Sequence, residues 1–335
     1  MTVFDFNHPA ITGLVSIVMP THRRERLIGA TLESIGRQEY DQWELIVVED
    51  GSVGPTEEIV AAFASRHPDH RVRYIRNEKN RGAGYSRNTG FAESTGEFIA
   101  LLDSDDRWLP DHLTVSVEAL CSGRYDIVYS TVLMVADGSD QVLGIWGPED
   151  GELTNFPQSL FGRNFVTPSA SVMRRSVVGE IGPWSTTHGY CEDYDFWLRC
   201  ATAGKTFHCV GGCHCLYRKN HPGATTERLC GMSQEVAETA ERYMHVRRPG
   251  IRPSARQRHV ARAFQRAARF HAERDPQQDA SADPASAGAL FLNAWRLQPK
   301  RLNCLVRGLW LTARYAFRKR SPHRSRRFIT AFEKP

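Results

Sequence analysis

Phe98-Ile99-Ala100-Leu101-Leu102-Asp103-Ser104-Asp105-Asp106-Arg107-Trp108 is the stretch from which the fold can be inferred. Five apolar residues run without interruption into three carboxylates. A short apolar run of this kind suits a strand buried on both faces, as in a parallel sheet. Open α/β sheets bind ligands at the carboxyl ends of such strands, and carboxylates crowded there repel one another unless a cation sits among them. The expectation is an Asp-Ser-Asp site for a divalent metal carrying a diphosphate. The plainer alternative is an acidic loop that caps the next helix.

The segments upstream repeat the pattern. Val15-Ser16-Ile17-Val18-Met19-Pro20 reads as a first strand stopped by Pro20. Ile28, Leu32 and Ile35 then mark one face of a helix. Leu45-Ile46-Val47-Val48 is a second buried strand ending in Glu49-Asp50-Gly51-Ser52, and Val72–Ile75 is a third. Between the third strand and Phe98–Leu102, a helix is expected over Tyr85–Ser94, with Gly96 marking its end. Alternating strands and short helices imply a doubly wound, mainly parallel sheet. Right-handed crossovers place all the strand ends on one rim, so Thr21, Asp50 and Asp103 should converge there. Downstream, Asp111 is expected to cap a helix. Residues 136–170 read as loops with short strands, Tyr194–Ala203 as a helix with Phe196, Cys200 and Ala203 inward, and Thr206–Tyr217 as a strand.

Composition sets the bounds. A chain of 335 residues that is 41% hydrophobic and 24% charged builds a core, which excludes global disorder. It contains no run of about 18 apolar residues and no basic-then-apolar secretory signal, so a cytoplasmic protein, or one peripheral on the inner face of the cell membrane, is expected. Of its 8 cysteines, five lie from Cys191 to Cys215. Cys213 and Cys215 share one face of a strand and His214 the other, which suits buried thiols better than zinc.

Charge is uneven. Between Asp283 and Glu333 there are eleven Lys or Arg and no acid, so in a chain of net +5 residues 1–283 carry −6. From about Thr226 the pattern becomes helical, with Asp275–Pro284 a linker. Arg301–Arg318 is amphipathic, with Leu302, Leu305, Val306, Leu309, Trp310, Ala313 and Phe317 on one face. That tail lacks a nucleic-acid fold signature, so no nucleic-acid partner is expected. It fits a membrane surface, or a helix packed on the protein itself.

Several motifs together resemble the family 2 glycosyltransferases. They are Val15–Pro20 with Thr21, Val47–Ser52, Asn80-Arg81-Gly82 with Ser86–Gly90, Leu102–Asp106 and Glu192–Arg199. The resemblance covers about residues 14–225 and implies a GT-A domain over 1–225, followed by a helical region over 226–335. It also implies a nucleotide-sugar donor, most often uridine-based, a divalent metal, inversion at the anomeric carbon, and a saccharide or lipid-linked acceptor.

Carried onto this chain, the resemblance gives Asp50 to the base, Asp103 to the ribose, Asp105 to the metal and Asp193 to the role of catalytic base, with Glu192 the fallback. Thr21 and Arg87 join the donor site, Arg87 by stacking on the base or pairing with a phosphate unless it is a surface salt bridge. Asp106 orients a water or the sugar, or exchanges roles with Asp105. His221 completes the metal site or touches the diphosphate, with His214 its competitor and Arg218 a further phosphate ligand. Oxygen ligands plus diphosphate suit Mn²⁺ or Mg²⁺. Asn88 and Gly90 read as structural, and Trp146, Trp184 and Tyr190 as candidates for stacking on the acceptor. A nucleotidyltransferase would carry glycine in Pro20-Thr21-His22-Arg23-Arg24, where there is none.

Overall fold

The computed structural model describes residues 4–220, 228–246, 253–274 and 279–320. The chain forms two compact units, Met1–Leu160 with Asn164–Ala224 and Phe161–Arg163 with Thr225–Pro335.

The first unit is built on a nine-stranded mixed sheet. Its parallel part comprises β1 (Ile11–Thr21), β2 (Trp43–Asp50), β3 (Val72–Asn77) and β4 (Gly96–Leu101), ordered β3-β2-β1-β4. These strands are joined by α1 (Glu25–Ile35), α2 (Thr56–Arg66) and α3 (Ala83–Glu93). Every residue of β2 is buried, as a strand covered on both faces requires. Glu44, near its start, accepts hydrogen bonds from Ser16 Oγ at 2.6 Å and Thr95 Oγ1 at 2.8 Å and pairs with Arg71 at 2.9 Å, which offsets the desolvation of a buried carboxylate.

Beyond β4 the order continues β8 (Ser171–Arg174), β6 (Ile127–Ala136), β9 (Phe207–Lys219) and β5 (Arg107–Trp108), with β7 (Val142–Trp146) added to β6. β8 is antiparallel to both β4 and β6, and β9 runs parallel to β6. The helices of this half are α4 (His112–Cys121), α5 (Arg175–Ile181) and α6 (Glu192–Ala203).

Several boundaries differ from the sequence reading, each for a local reason. Pro20 lies inside β1, paired with Val48, rather than ending it. Val18 O accepts from Leu102 N, so Pro20, two residues on, faces the same side just past the end of β4, where no donor is needed. Gly96 opens β4 instead of closing α3. α6 begins two residues early, which draws Glu192 and Asp193 into its first turn. Ala203 is exposed and Trp197 and Ala201 face inward, because α6 ends there on Gly204 at φ +98°. Asp111 occupies the cap position of α4 without a side-chain cap bond. Gly90 permits close packing of α3, since a Cβ there would lie 2.4 Å from Val18 Cγ1.

The second unit is helical: α7 (Leu229–Tyr243), α8 (Pro253–Glu273), α9 (Ser286–Leu297) and α10 (Leu302–Arg320). Buried Arg256 donates from Nη1 to the carbonyls of Tyr243, Met244 and Val246, satisfying the open end of α7. The stretch read as a linker is packed where it is described, for Asp279 is buried and accepts from Cys230 N at 3.0 Å. No helix among the described residues is long and apolar enough to cross a membrane.

Candidate active site

The acids following β4 lie in a tight loop, and each has a different environment. Asp103 is partly exposed, and its Oδ1 accepts from Arg87 Nη2 at 2.5 Å. Burial raises its pKa, the Arg87 charge opposes that, and Asp105 adds to it. Asp105 Oδ2 accepts from Arg24 Nε at 3.2 Å. Asp106, expected beside the donor, is turned into the protein and has no exposed surface. Its oxygens accept from Ser169 Oγ at 2.5 Å and Arg218 N at 2.9 Å. Burial, then the Asp105 and Asp103 charges, hold its carboxyl well above the usual range. Asp106 thus closes the loop against β9 and presents nothing to a ligand.

Arg87 corrects both readings made of it. It is only 3% exposed, and lies 4.6 Å over the ring of Trp184. Its two terminal nitrogens reach Asp103 at 2.5 Å and Glu192 at 3.0 Å. Burial lowers its pKa, but Asp103, Glu192 and Asp193 outweigh burial and raise it above the ordinary value. It is a buried cation tying the acidic loop to α6, neither a base-stacking group nor a surface pair. Trp184 is core, packed on Phe91, Phe196 and Trp197, which removes it from any acceptor surface. Asn88 fixes that segment through paired bonds with the Trp184 backbone.

Asp193 is partly exposed in the first turn of α6. Its carboxylate accepts from Asn164 Nδ2 at 2.9 Å and from Tyr194 N at 2.6 Å. Among the described residues no ion pair reaches it. Burial, reinforced by the charge of Glu192 and only partly opposed by Arg87, pushes its pKa up to about 7.

Asp50 is buried at the end of β2. It accepts from Asn77 Nδ2 at 3.1 Å, Arg81 N at 3.0 Å and Gly82 N at 2.7 Å, so it anchors the loop before α3. Gly51, at φ +73°, lets this turn cross that loop, since a Cβ would lie 2.2 Å from Asn80 N. Thr21, at the end of β1, is 3% exposed with a hydroxyl that has no hydrogen-bond partner.

Some expected ligands are committed elsewhere. His214 lies 2.9 Å from Asp111 and 2.8 Å from the Gly211 carbonyl. Arg218 donates to the Asp105 carbonyl and pairs with Asp137 at 3.2 Å. His221 falls outside the described residues. The eight cysteines are all free.

Other groups were not anticipated as site residues. Arg24 follows β1, so the strand-end logic that selected Thr21 could have found it. Asn164 comes from a stretch without periodicity and carried no signal. Tyr217 and Lys219 alternate with Cys215 along β9, a pattern open to the eye in the sequence. Lys219 Nζ sits 4.3 Å over the Tyr217 ring, and burial lowers its pKa while Asp106 opposes. Tyr217 is held well above its ordinary pKa by burial, then by Asp106, Asp105 and Asp103.

Among the described residues no three His, Cys, Asp or Glu side chains form a complete metal cage. Two partly exposed carboxylates on one loop nevertheless fit a hard cation whose remaining ligands come from phosphate oxygens.

A curled, mostly parallel sheet with these acids at its strand ends and a helical part following is the GT-A architecture. It matches the crystal structure of S. aureus TarS 1-349 in complex with UDP-GlcNAc at a TM-score of 0.61, with 17% identity over 91% of this chain and 92% of that one. The model for glycosyl transferase family 2 matches residues 16–182. An uncharacterized glycosyltransferase of Bacillus subtilis, YwdF, is 32% identical over 191 residues, 56% of this chain and 68% of that protein. The chain belongs to glycosyl transferase family 2. The Escherichia coli UDP-Glc:alpha-D-GlcNAc-diphosphoundecaprenol beta-1,3-glucosyltransferase WfgD is 34% identical over 126 residues, 38% of this chain and 48% of WfgD. The chain thus spans about half the length of that curated relative, and 64% and 65% of two others.

Proposed function

We propose that the protein transfers a sugar from a uridine diphosphate sugar to a hydroxyl acceptor, with inversion, using Asp193 as the base. The observation that carries this reading is the place of Asp193, a partly exposed carboxylate in the first turn of α6 that no ion pair reaches among the described residues, and whose pKa burial and Glu192 push up to about 7. A base that accepts a proton at neutral pH needs such a value. As the acceptor oxygen attacks the anomeric carbon, its proton passes to a carboxylate oxygen of Asp193. The bond between that carbon and the diphosphate oxygen breaks with its electron pair, and the nucleoside diphosphate leaves from the opposite side, toward the loop after β4.

The remaining residues hold the donor. Asp50 and the Arg81–Gly82 backbone it fixes receive the base, Asp103 the ribose, and the unpartnered Thr21 hydroxyl adds a donor or acceptor at the same rim. Asp105 with Asp103 would hold Mn²⁺ or Mg²⁺, and His221 remains a proposed further ligand. When bound, the cation offsets charge on the departing diphosphate. Lys219, which forms no ion pair among the described residues, supplies a second positive charge to it. Glu192 keeps Arg87 in place and lifts the pKa of Asp193.

The names of the E. coli relative and of the liganded S. aureus structure support a uridine donor. The former also supports a lipid-linked saccharide acceptor, and hence work at the inner face of the cell membrane. The test is thermal-shift screening of nucleotide sugars with and without Mn²⁺, since a ligand of the folded state raises its melting point. Stabilisation by UDP-sugars that Mn²⁺ strengthens and Asp105→Ala abolishes is the expected result. No stabilisation by any nucleotide sugar would overturn the reading.

A further inference from the structure

Helix α10 has one face inside the second unit and one outside it. Cys304 and Leu311 are buried and Gly308 meets the side chain of Leu292 on α9. On the opposite side Leu302, Val306, Leu309 and Trp310 are 64%, 65%, 55% and 49% exposed. Their spacing places them on one stripe about 100° wide. Four large apolar side chains in one exposed patch are uncommon on a self-contained surface. Arg307 and Arg314 line one edge of the stripe, and the Arg314 guanidinium lies 4.9 Å over the Trp310 ring. No acidic residue occurs from 284 to 332, while eleven Lys or Arg do. An apolar stripe with a basic edge and no acid is the surface that an anionic bilayer complements, with aliphatic and indole groups entering the acyl boundary and cations meeting headgroup phosphates.

We propose that α10 is an interfacial helix that docks the chain on an anionic bilayer through Leu302, Val306, Leu309 and Trp310. The inference does not depend on the transfer reading, because none of the acids of the candidate site takes part.

The test is co-sedimentation of the full chain with vesicles of phosphatidylcholine alone or containing phosphatidylglycerol. The wild type is expected to sediment with the anionic vesicles, less with the neutral ones, and less at high salt. Leu309→Glu with Trp310→Glu should lower the partition coefficient on the order of tenfold or more, and Arg307→Gln with Arg314→Gln by several-fold on anionic vesicles only. Both positions of the first variant are exposed, so its melting point and its stabilisation by UDP should equal those of the wild type. That keeps loss of docking separable from loss of donor binding, and the arginine variant provides a second readout should the first fail to fold. Equal sedimentation with both kinds of vesicle, or of the Leu309/Trp310 variant and the wild type, would overturn the proposal. So would a wild-type dimer without vesicles that this variant converts to monomer, which would assign the face to a second copy of the chain.

Discussion

The loop after β4 and the first turn of α6 are both acidic, yet their partly exposed carboxylates differ: Asp103 and Asp105 each meet a guanidinium and Asp193 does not. In the loop every carboxylate is answered: Asp103 by Arg87, Asp105 by Arg24, Asp106 by Ser169 and the Arg218 backbone. On α6, Arg87 answers Glu192 but not Asp193, which is left with an amide and one backbone N–H. A carboxylate paired with a guanidinium has its charge partly offset and suits holding a ligand. One that is desolvated beside a second acid rises toward neutral pH and suits moving a proton. The difference lies in which acids Arg87 reaches.

The largest effect expected from this contrast is on Asp193. Asp193→Asn keeps the shape and removes the base, so kcat should fall by about 10²–10⁴-fold while stabilisation by UDP-sugar in a thermal-shift assay persists. Retention of most of the activity would erase the distinction between the two acidic regions. Next is Arg87→Ala, which strands two acids beside Trp184. Breaking a buried ion pair costs about 3–5 kcal/mol, measurable as a lower urea midpoint, and activity should fall with it.

The contrast also fixes a pH dependence. Asp193 must be deprotonated to act, so kcat should rise with pH and level off above about 7, the value burial and Glu192 impose. Below that it should drop roughly tenfold per pH unit. Because the charge of Glu192 raises this pKa, Glu192→Gln should move the acidic limb to lower pH. A limb that stays put would show that burial alone sets the value.

Much of this arrangement was legible from strand ends. Thr21, Asp50 and Asp103 follow apolar runs, and the structure places each at the end of its strand. What escaped were the pairings. The Arg87 bridge spans 105 residues to Glu192, and neither spacing nor periodicity reports which of several acids a guanidinium will reach. Asp106 looks in sequence like its neighbours. Partners far along the chain, the Ser169 hydroxyl and the Arg218 N–H of β9, turn it inward. The antiparallel direction of β8 was equally hidden, because Ser171–Arg174 is too short to carry one.

The smallest expected effect concerns Lys219, a cation without an ion pair among the described residues. Its ammonium rests on Tyr217 and makes no ion pair among the described residues, so Lys219→Met should leave the melting point nearly unchanged. A single partly screened charge contact is worth roughly 1 kcal/mol, so affinity for UDP should weaken about fivefold. Uridine, which lacks the diphosphate, should bind the variant and the wild type equally well. An equal loss for both ligands would mean that Lys219 merely supports the pocket wall. A loss confined to UDP would show that the rim keeps one positive charge uncommitted for the leaving group, while its arginines are spent on holding the acids in place.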